Sequence, residues 1–280
     1  MEGILYVIAT PIGNLEDASP RARRLLGEVD LIAAEDTRTA RHLLDRLEIS
    51  APKIVSYFEG NEASRTVELL EQLSQGSQIA VVSEAGTPAV SDPGQRLIAA
   101  AGEAGHKVVA IPGPSAVITA LVASGLPSQR FTFIGFLPRE KGARRIALGE
   151  LRTRRETLVF YESPERVGAC LLDMAEAFGD TRPVVLAREL TKMYEEMVRG
   201  TCAELAEQYA NKGPRGECTL VVGGSDEEED GAGDFDIETA IRELLAEGLG
   251  PKDIASRLMV KTGKARRELY QLALSLKRER

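Results

Sequence analysis

The chain has 280 residues, of which 43% are hydrophobic and 28% are charged, and its formal net charge is −8. These values are ordinary for a globular protein of about two domains, with enough apolar residues for substantial cores. No apolar run approaches the ~20 residues of a membrane span, and the N-terminus lacks the basic region and cleavage site of a signal peptide. We therefore expect a cytoplasmic protein.

Cysteine and histidine are too sparse to predict metal or nucleophilic chemistry. Cys170, Cys202 and Cys218 lie far apart and form no CxxC pair, and the only histidines are His42 and His106. This pattern favours neither a disulfide framework nor a zinc site, and it makes a Ser-His-Asp triad improbable. The cysteines are expected to be buried neutral thiols in a reducing compartment.

The first half of the chain alternates predicted strands and helices. Strands are predicted at 4–9, 29–34, 53–57, 78–83 and 107–111, and helices at 19–28, 38–47, 61–75, 93–104 and 115–123. This order predicts a mainly parallel sheet with helices on both faces. Ser19 and Asp92 are each followed by proline, which indicates a helix that begins with an N-cap and proline at N1.

Three of these strands end in loops of small residues, at 10–14, 83–94 and 112–116. The carboxyl ends of parallel strands share one edge of a sheet, where open α/β folds bind ligands. Small side chains would let a ligand approach the backbone, and Glu84 would accept hydrogen bonds from a ribose or an amine. The plainer interpretation is a set of tight strand-to-helix connections, since glycine and proline punctuate most such loops.

The second half predicts a different sheet. Strands are predicted at 131–136, 156–161, 184–188, 195–201 and 217–222, and helices at 143–151, 164–178 and 202–210. The short gap between 188 and 195 indicates a hairpin, so this sheet should be mixed. We predict one α/β domain over 1–118 and a second over 119–224.

Charge is distributed unevenly along the rest of the chain. Seven acidic residues lie within 225–236, which with its glycines predicts a solvated linker. Residues 251–280 hold nine Lys or Arg against three acidic residues, and residues 139–155 hold seven against two. Two basic patches on an acidic protein indicate directed binding to a polyanion, although each alone is more often a solvated helix face.

The C-terminal segment, 237–280, has a helical pattern with breaks at Gly248, Gly250 and Gly263. Two short helices around a turn with basic residues allow a helix-turn-helix-like interpretation. A three-helix cap on the body is an equal alternative. Because the acidic linker would let the segment move relative to the body, we favour an arm that docks onto RNA over a cap on the fold or the dimer.

Two common nucleotide motifs are absent. GxGxxG does not follow the first strand, which disfavours a dehydrogenase, and Thr262, Gly263 and Lys264 imitate only the end of a phosphate loop. Glu35 and Asp36 close the second strand. They either cap the next helix and pair with Arg38, or they lie near a bound ligand.

Eight blocks in order carry a family resemblance. They are LYVIATPIGNLEDASPRA (5–22), LIAAEDTR (31–38), VVSEAGTPAVSDPG (81–94), IPGPSAVITALVASGLP (111–127), FTFIGFLPR (131–139), FYESPERV (160–167), VVLARELTKMYEE (184–196) and RGECTLVV (215–222). Through them the chain resembles the small-subunit ribosomal RNA methyltransferases of the tetrapyrrole-methylase-like superfamily.

The resemblance implies an S-adenosylmethionine-dependent enzyme that methylates the 2′-oxygen of a cytidine ribose in the decoding region of small-subunit ribosomal RNA. It implies two α/β domains with the cofactor in the cleft between them, a small C-terminal helical domain, a homodimer and no metal. Its partners would be the small ribosomal subunit and its RNA.

Carried onto this sequence, the family's cofactor contacts fall in both domains. The implied cofactor residues are Thr10, Pro11, Gly13, Glu84, Ala85, Gly86, Thr87, Ser115, Ala116, Tyr161, Ala187, Arg188 and Thr219. Two departures stand out. The family usually has aspartate at the position of Glu84, and it often has histidines where this chain has Phe58 and Gly60.

Residue type leaves the reacting groups open. Methyl transfer from a sulfonium mainly requires alignment, together with removal of a proton from a hydroxyl of high pKa. The candidate carboxylates are Glu35, Asp36, Glu62 and Glu189, and water is an alternative acceptor. The basic patches predict RNA contacts at Arg139, Lys141, Arg144, Arg145, Lys264, Arg266 and Arg267.

Two other functions remain open. A methyltransferase of the same superfamily could act on a small molecule such as a tetrapyrrole, although the basic patches argue against it. A non-catalytic ribosome assembly factor could keep the fold, but a pure binding protein would not need the small-residue loops.

Overall fold

The computed structural model describes residues 3–50, 52–225, 237–246, 249–262 and 266–278. The chain forms two compact units, Met1–Ser225 and Asp226–Arg280. Among the described residues, no helix combines the length and apolar character that crossing a membrane would require.

The first sheet has five strands in the order β3-β2-β4-β1-β5, and every neighbouring pair is parallel. The strands are β1 (Ile4–Ile8), β2 (Leu31–Ala34), β3 (Lys53–Ser56), β4 (Gln78–Val82) and β5 (Lys107–Ile111). Because β1 and β4 are central neighbours, the loops that follow them emerge side by side. The prediction of a parallel sheet is confirmed.

Helices cover both faces of this sheet, as predicted. They are α1 (Pro20–Glu28), α2 (Thr37–Arg46), α3 (Glu62–Ser74), α4 (Gln95–Glu103) and α5 (Ala116–Ser124). Alternate strand residues explain the two layers: Ile32 packs with α1 and α2, whereas Leu31 packs with α3 and α4. Ser19 caps α1 by accepting a hydrogen bond from the amide of Ala22, with Pro20 as the first helical residue.

The predicted start of α4 at Asp92 and Pro93 is wrong. The helix begins at Gln95, and its N-cap is Gly94 with φ of 134°. The preceding loop contains Ala89 and Ser91 in the left-handed region, which side chains rarely adopt. The loop therefore turns once more before the helix begins, which leaves Asp92 outside the capping position.

The second sheet is mixed, as predicted, with the order β6-β7-β10-β8-β9. The strands are β6 (Phe131–Phe136), β7 (Thr157–Glu162), β8 (Pro183–Arg188), β9 (Glu196–Thr201) and β10 (Cys218–Val222). Only β6 and β7 are parallel, and β8 and β9 form the predicted hairpin. Helices α6 (Lys141–Leu151), α7 (Val167–Phe178) and α8 (Cys202–Gln208) share one core with this sheet.

A separate core joins the two sheets. Val117 and Leu121 of α5 and Ile12 from the loop after β1 pack with Val185 and Val221 of the second sheet. Each aliphatic side chain buried in this way contributes roughly 1.5–3 kcal/mol. The α/β architecture with two sheets is confirmed. The predicted domain boundary at residue 118 stays a prediction, since α5 belongs to the first half in sequence and packs on the second sheet.

The C-terminal unit contains α9 (Ile237–Ala246), α10 (Pro251–Thr262) and α11 (Arg266–Arg278). Its core includes Ile241, Ile254 and Leu269, so the three helices pack on one another. Of the predicted acidic linker, residues 226–236 lie outside the described residues, as does Lys264. The choice among a helix-turn-helix-like unit, a cap and an RNA-binding arm stays a prediction.

Arg144 is buried, which corrects its prediction as an RNA contact. Its Nε donates to Oδ2 of Asp173 at 2.7 Å, and the Asp173 side chain is 1% exposed. Arg145 also donates to Asp173, at 2.9 Å, and pairs with Glu176. The sequence shows a basic run, but α6 turns Arg144 inward because the buried carboxylate of α7 needs a partner.

We predict that Arg144→Ala lowers the free energy of unfolding by about 3 kcal/mol, because it leaves a buried carboxylate with a single partner. Urea denaturation measures this difference. Lys141→Ala, on the exposed side of the same helix, is the control and should change stability by less than about 0.5 kcal/mol. Equal losses in the two variants would contradict a structural role for Arg144.

Candidate functional site

The three small-residue loops meet at one edge of the first sheet, as expected. The amide of Thr10 donates to the carbonyl of Gly86 at 2.8 Å, and the amide of Gly86 donates back at 3.0 Å. Thr10 Oγ1 donates to the carbonyl of Ser83 at 3.2 Å, and Thr87 Oγ1 donates to that of Pro114 at 3.0 Å. These bonds fix the three loops as one framework.

The loop after β1 also contacts the hairpin of the second sheet. A side chain at Gly13 would place its Cβ 2.4 Å from Cγ of Lys192 and 3.2 Å from the carbonyl oxygen of Leu190. Glycine therefore allows the two loops to approach closely. The loop after β1 and the hairpin loop of the second sheet are thus in direct contact at Gly13.

A cavity of about 370 Å³ lies between the two sheets. Its volume is within the usual range for small-molecule sites. Five of the predicted cofactor residues line it: Glu84, Ala85, Ala116, Tyr161 and Thr219. The other lining residues are Ile12, Asp92, Phe136, Glu162, Ser163, Leu190, Glu217 and Cys218.

The remaining predicted cofactor residues do not line this cavity. Thr10 is buried within the loop framework, and Ala187 lies in the core that joins the sheets. Arg188 donates from Nε to Glu196 at 2.6 Å. The other five lie in the three small-residue loops: Pro11, Gly13, Gly86, Thr87 and Ser115.

Four carboxylates line the cavity, and two of them are paired with cations. Glu162 lies 3.2 Å from Nη2 of Arg166, and Glu217 accepts from Nζ of Lys192 at 2.9 Å. Glu84 is exposed, at the tip of its loop. Asp92 lies in the same cavity without an ion pair among the residues that the structure describes.

Asp92 is the functional candidate that sequence reasoning missed. Burial, followed by the negative charge of Glu35, raises the pKa of the Asp92 carboxyl to about 6. In the sequence, the pair Asp92-Pro93 indicates a helix N-cap. This interpretation gave no reason to consider Asp92 as a residue of the site. Two left-handed residues, Ala89 and Ser91, are the local strain that turns the loop here, and such strain often marks functional sites.

None of the four carboxylates predicted as proton acceptors lines the cavity. Asp36 caps α2, and hydrogen bonds from Arg38 lower its pKa. Glu62 accepts from the amide of Gly94 at 3.1 Å and so supports the start of α4. Glu35 is adjacent to Glu84 in a smaller recess, where burial raises its pKa.

Glu189, the fourth candidate, is engaged within the hairpin loop. It accepts from Nζ of Lys192 at 2.9 Å and from the amide of Glu217 at 3.1 Å. The Lys192 bond lowers the pKa of Glu189. The structure thus gives Glu189 a role in shaping the loop that faces the first sheet.

Aromatic rings form one wall of the cavity. Tyr161 has its ring centroid 5.0 Å from that of Phe133 in an edge-on arrangement, and 5.6 Å from that of Phe136. Burial raises the pKa of the Tyr161 hydroxyl. This hydroxyl therefore stays protonated at neutral pH and can donate a hydrogen bond.

The three cysteines are buried thiols, as the sequence predicts. Cys170, Cys202 and Cys218 are free and buried, and burial raises the pKa of each thiol. Within the described ranges, no three His, Cys, Asp or Glu side chains are grouped to hold a metal ion.

Comparison with known proteins assigns the family. The family model of Tetrapyrrole (Corrin/Porphyrin) Methylases matches residues 4–206. The chain belongs to this family. The resemblance found in the sequence is therefore confirmed, and the chain is a member of a methyltransferase family.

Two relatives narrow the assignment within that family. The chain is 44% identical over 275 residues to ribosomal RNA small subunit methyltransferase I of Synechocystis sp., covering 98% of each chain. It is 45% identical over 279 residues to the protein of that name from Mycobacterium tuberculosis, covering 99% of this chain and 96% of the relative.

A solved structure supports the fold. Uroporphyrin-III C-methyl transferase from Thermus thermophilus, complexed with S-adenyl homocysteine, matches with a TM-score of 0.53 and 19% identity. The match covers 79% of this chain and 97% of that one. At this identity the likeness concerns the arrangement of the two sheets.

Proposed function

We propose that this protein transfers a methyl group from S-adenosylmethionine to the 2′-oxygen of a cytidine ribose in the decoding region of small-subunit ribosomal RNA. The observation that carries the proposal is the cavity between the two sheets, in a chain 44% identical over nearly its full length to a ribosomal RNA methyltransferase. We place the reaction in the cytoplasm, with the small subunit as partner.

The predicted cofactor, S-adenosylmethionine, is confirmed by membership in this methylase family. It supplies a methyl group on a positively charged sulfur. The residues of the cavity suit it: Ala85 and Ala116 leave room beside the backbone, and Tyr161 provides an aromatic wall. Glu84 would accept hydrogen bonds from its ribose or amine. The carboxylates around the cavity favour a cation.

The ribose hydroxyl must lose its proton as its oxygen attacks the methyl carbon. We assign this proton to the carboxylate of Asp92, which, like Glu84, lines the cavity without an ion pair in the described part of the chain and is the more buried of the two. A carboxyl with a pKa of about 6 is ionised at neutral pH and is a stronger base than an ordinary aspartate. Glu162 and Glu217 are held by cations and are weaker candidates.

The exposed arginines and lysines outside the cavity suit an RNA backbone. Arg139 and Lys141 are exposed where β6 leads into α6. Arg267 is exposed on α11 in the C-terminal unit. We propose that these side chains contact phosphates, whereas Arg145 is largely engaged by Asp173 and Glu176.

A homodimer is supported by the outer face of α5. This helix is apolar except for Thr119 and Ser124, and its Ile118 and Val122 are 48% and 71% exposed. Large exposed aliphatic side chains of this kind mark interaction surfaces when they cluster. We propose that a second copy of the chain covers them.

Incubation with unmethylated small ribosomal subunits tests the proposed reaction. We expect one methyl group per subunit, which mass mapping of nuclease fragments places on the ribose of a cytidine. A tetrapyrrole precursor in a parallel reaction tests the small-molecule alternative. Methyl transfer to the precursor, with none to the subunit, would overturn the proposal.

The cofactor assignment predicts that Ala116→Leu lowers affinity for S-adenosylhomocysteine at least tenfold, because the larger side chain enters the cavity. Titration calorimetry measures this affinity. The control is Ala99→Leu, the same change at an exposed position of α4, which should bind normally. Normal binding by both variants would remove Ala116 from the cofactor site.

The role of Asp92 predicts a pH dependence. Protonation below a pKa of about 6 removes the base, so the maximal rate should fall about tenfold per pH unit in acid. Asp92→Asn should lower that rate by about 10²–10⁴-fold, with no acid limb near pH 6. Single-turnover methylation over pH 5–8 measures both.

The control is Glu217→Gln, which changes a cation-paired carboxylate of the same cavity. This variant should keep the fall in rate below pH 6. A wild-type profile in Asp92→Asn would refute the assignment.

A further inference from the structure

A second cavity, of about 660 Å³, adjoins the first. The two share Phe136 and Ser163 in their linings. The remaining residues of the second cavity are Leu137, Arg139, Glu165 and Arg166. Its lining combines apolar side chains with two arginines and one glutamate, and it borders the cavity in which we place the cofactor.

Phe136 is the most unusual residue of this cavity, because its side chain is 59% exposed at the end of a strand. A β-bulge explains its direction: the pairing of β6 with β7 shifts register between Phe133 and Gly135, and Gly135 has φ of +75°. Bulges re-aim the side chains that follow them. The next residue, Leu137, is buried, so the chain turns Phe136 outward and Leu137 inward.

The exposed ring of Phe136 is supported by Tyr161, which packs on Phe133. Its centroid lies 5.6 Å from that of Tyr161, which in turn packs on Phe133. The segment beside it is fixed by Arg166, whose Nη2 donates to the carbonyls of Leu137 at 2.9 Å and Pro138 at 3.0 Å. One face of the Phe136 ring is therefore supported by Tyr161. Among the described residues, no side chain covers the rest of the ring, which stays exposed.

Arg139 adds a charge at the rim. Its side chain is exposed, and within the described ranges no carboxylate pairs with it. Arg166 differs, because its guanidinium is committed to two carbonyls and to Glu162 at 3.2 Å. The cavity thus presents an aromatic face, the carboxylate of Glu165 and the guanidinium of Arg139, which has no ion pair in the part of the chain that the structure describes. Proteins that bind single-stranded RNA use this pair, with the aromatic ring against a base and the cation against a phosphate.

The chemistry of a nucleotide fixes where its base must go. The base is attached to the ribose carbon next to the one that carries the 2′-hydroxyl. Only a few bonds of ~1.5 Å therefore separate the base from this hydroxyl. With the hydroxyl in the first cavity, the base must lie in a space that borders it. The second cavity borders it through Phe136 and Ser163.

We propose that the second cavity holds the unstacked nucleobase of the methylated nucleotide, with the base against Phe136 and a neighbouring phosphate against Arg139. This subsite rests on the proposed function, since it assumes that the methyl acceptor is a ribose. An unpaired, unstacked base is the form in which RNA presents itself to such a surface. The subsite would select single-stranded RNA at the target position.

The test compares Phe136→Ala, Phe136→Tyr and Phe131→Ala with the wild-type enzyme on unmethylated small ribosomal subunits. Phe136→Ala should raise the KM for the subunit about tenfold, which is roughly 1.4 kcal/mol and within the range for one stacked base. Phe136→Tyr keeps the ring and should stay near the wild-type KM. Phe131→Ala is the matched control, because Phe131 is an exposed phenylalanine at the other end of β6 that lines neither cavity.

Phe136 also lines the first cavity, so it could contact the cofactor instead of the base. Calorimetry of S-adenosylhomocysteine binding distinguishes these two roles. The subsite predicts a smaller loss of cofactor affinity than of subunit affinity in Phe136→Ala. A loss confined to the cofactor, or an unchanged KM for the subunit, would overturn the subsite while leaving the proposed reaction intact. If the wild-type enzyme methylates only a small molecule, both proposals fail.

Arg139→Ala supplies an independent measurement. The affinity for the subunit is measured at several salt concentrations, and its logarithm is plotted against the logarithm of the salt concentration. If Arg139 binds a phosphate, the magnitude of the slope of this plot should fall by about one in Arg139→Ala. Arg24→Ala removes an exposed arginine of α1 that lines neither cavity, and it should leave the slope unchanged. Equal slopes in the wild type and in Arg139→Ala would remove Arg139 from the subsite.

Discussion

The site depends on the packing of α5 and Ile12 against the second sheet. Val117, Leu121 and Ile12 are buried among valines of β7, β8 and β10. Without this core the loops of the first sheet would have no fixed distance from the hairpin of the second. Since protein interiors are close-packed, small changes in these side chains would move one wall of the cavity relative to the other. The chemistry of the cleft therefore depends on apolar residues that do not line it, apart from Ile12.

Charge pairing then decides which carboxylates of the cleft are available. Lys192 bridges Glu189 and Glu217, at 2.9 Å from each, and Arg166 holds Glu162. These pairs give the walls their shape and hold two of the four carboxylates that line the cavity, Glu162 and Glu217. Burial and the repulsion of Glu35 and Glu84 raise the proton affinity of Asp92, and a hydrogen bond with Ser83 offsets part of this rise. One cavity thus combines two carboxylates that are fixed by cations, Glu162 and Glu217, with two that have no ion pair among the described residues, Glu84 and Asp92.

The local pattern of apolar, polar and turn-forming residues predicted most strands, helices and small-residue loops. The strand at 107–111 and the strand at 131–136 agree with the structure residue for residue, and most other boundaries differ by one to three residues. The loops at 10–14, 83–94 and 112–116 meet because parallel strands send their carboxyl ends to the same edge. Glu84, Ala85 and Ala116 line the cavity for this reason.

The sequence by itself determined the alternation of strands and helices, the parallel and mixed sheets, the small-residue loops and the family. These follow from periodicity, turn chemistry and motif order, which are local properties of the chain. Only the tertiary structure decided that Arg144 is buried, that Asp92 faces the cavity and that Phe136 faces outward. Each of these depends on a distant partner or a backbone irregularity: the carboxylate of Asp173, two left-handed residues, and a β-bulge. Contacts between residues far apart in sequence leave no periodic signal along the chain.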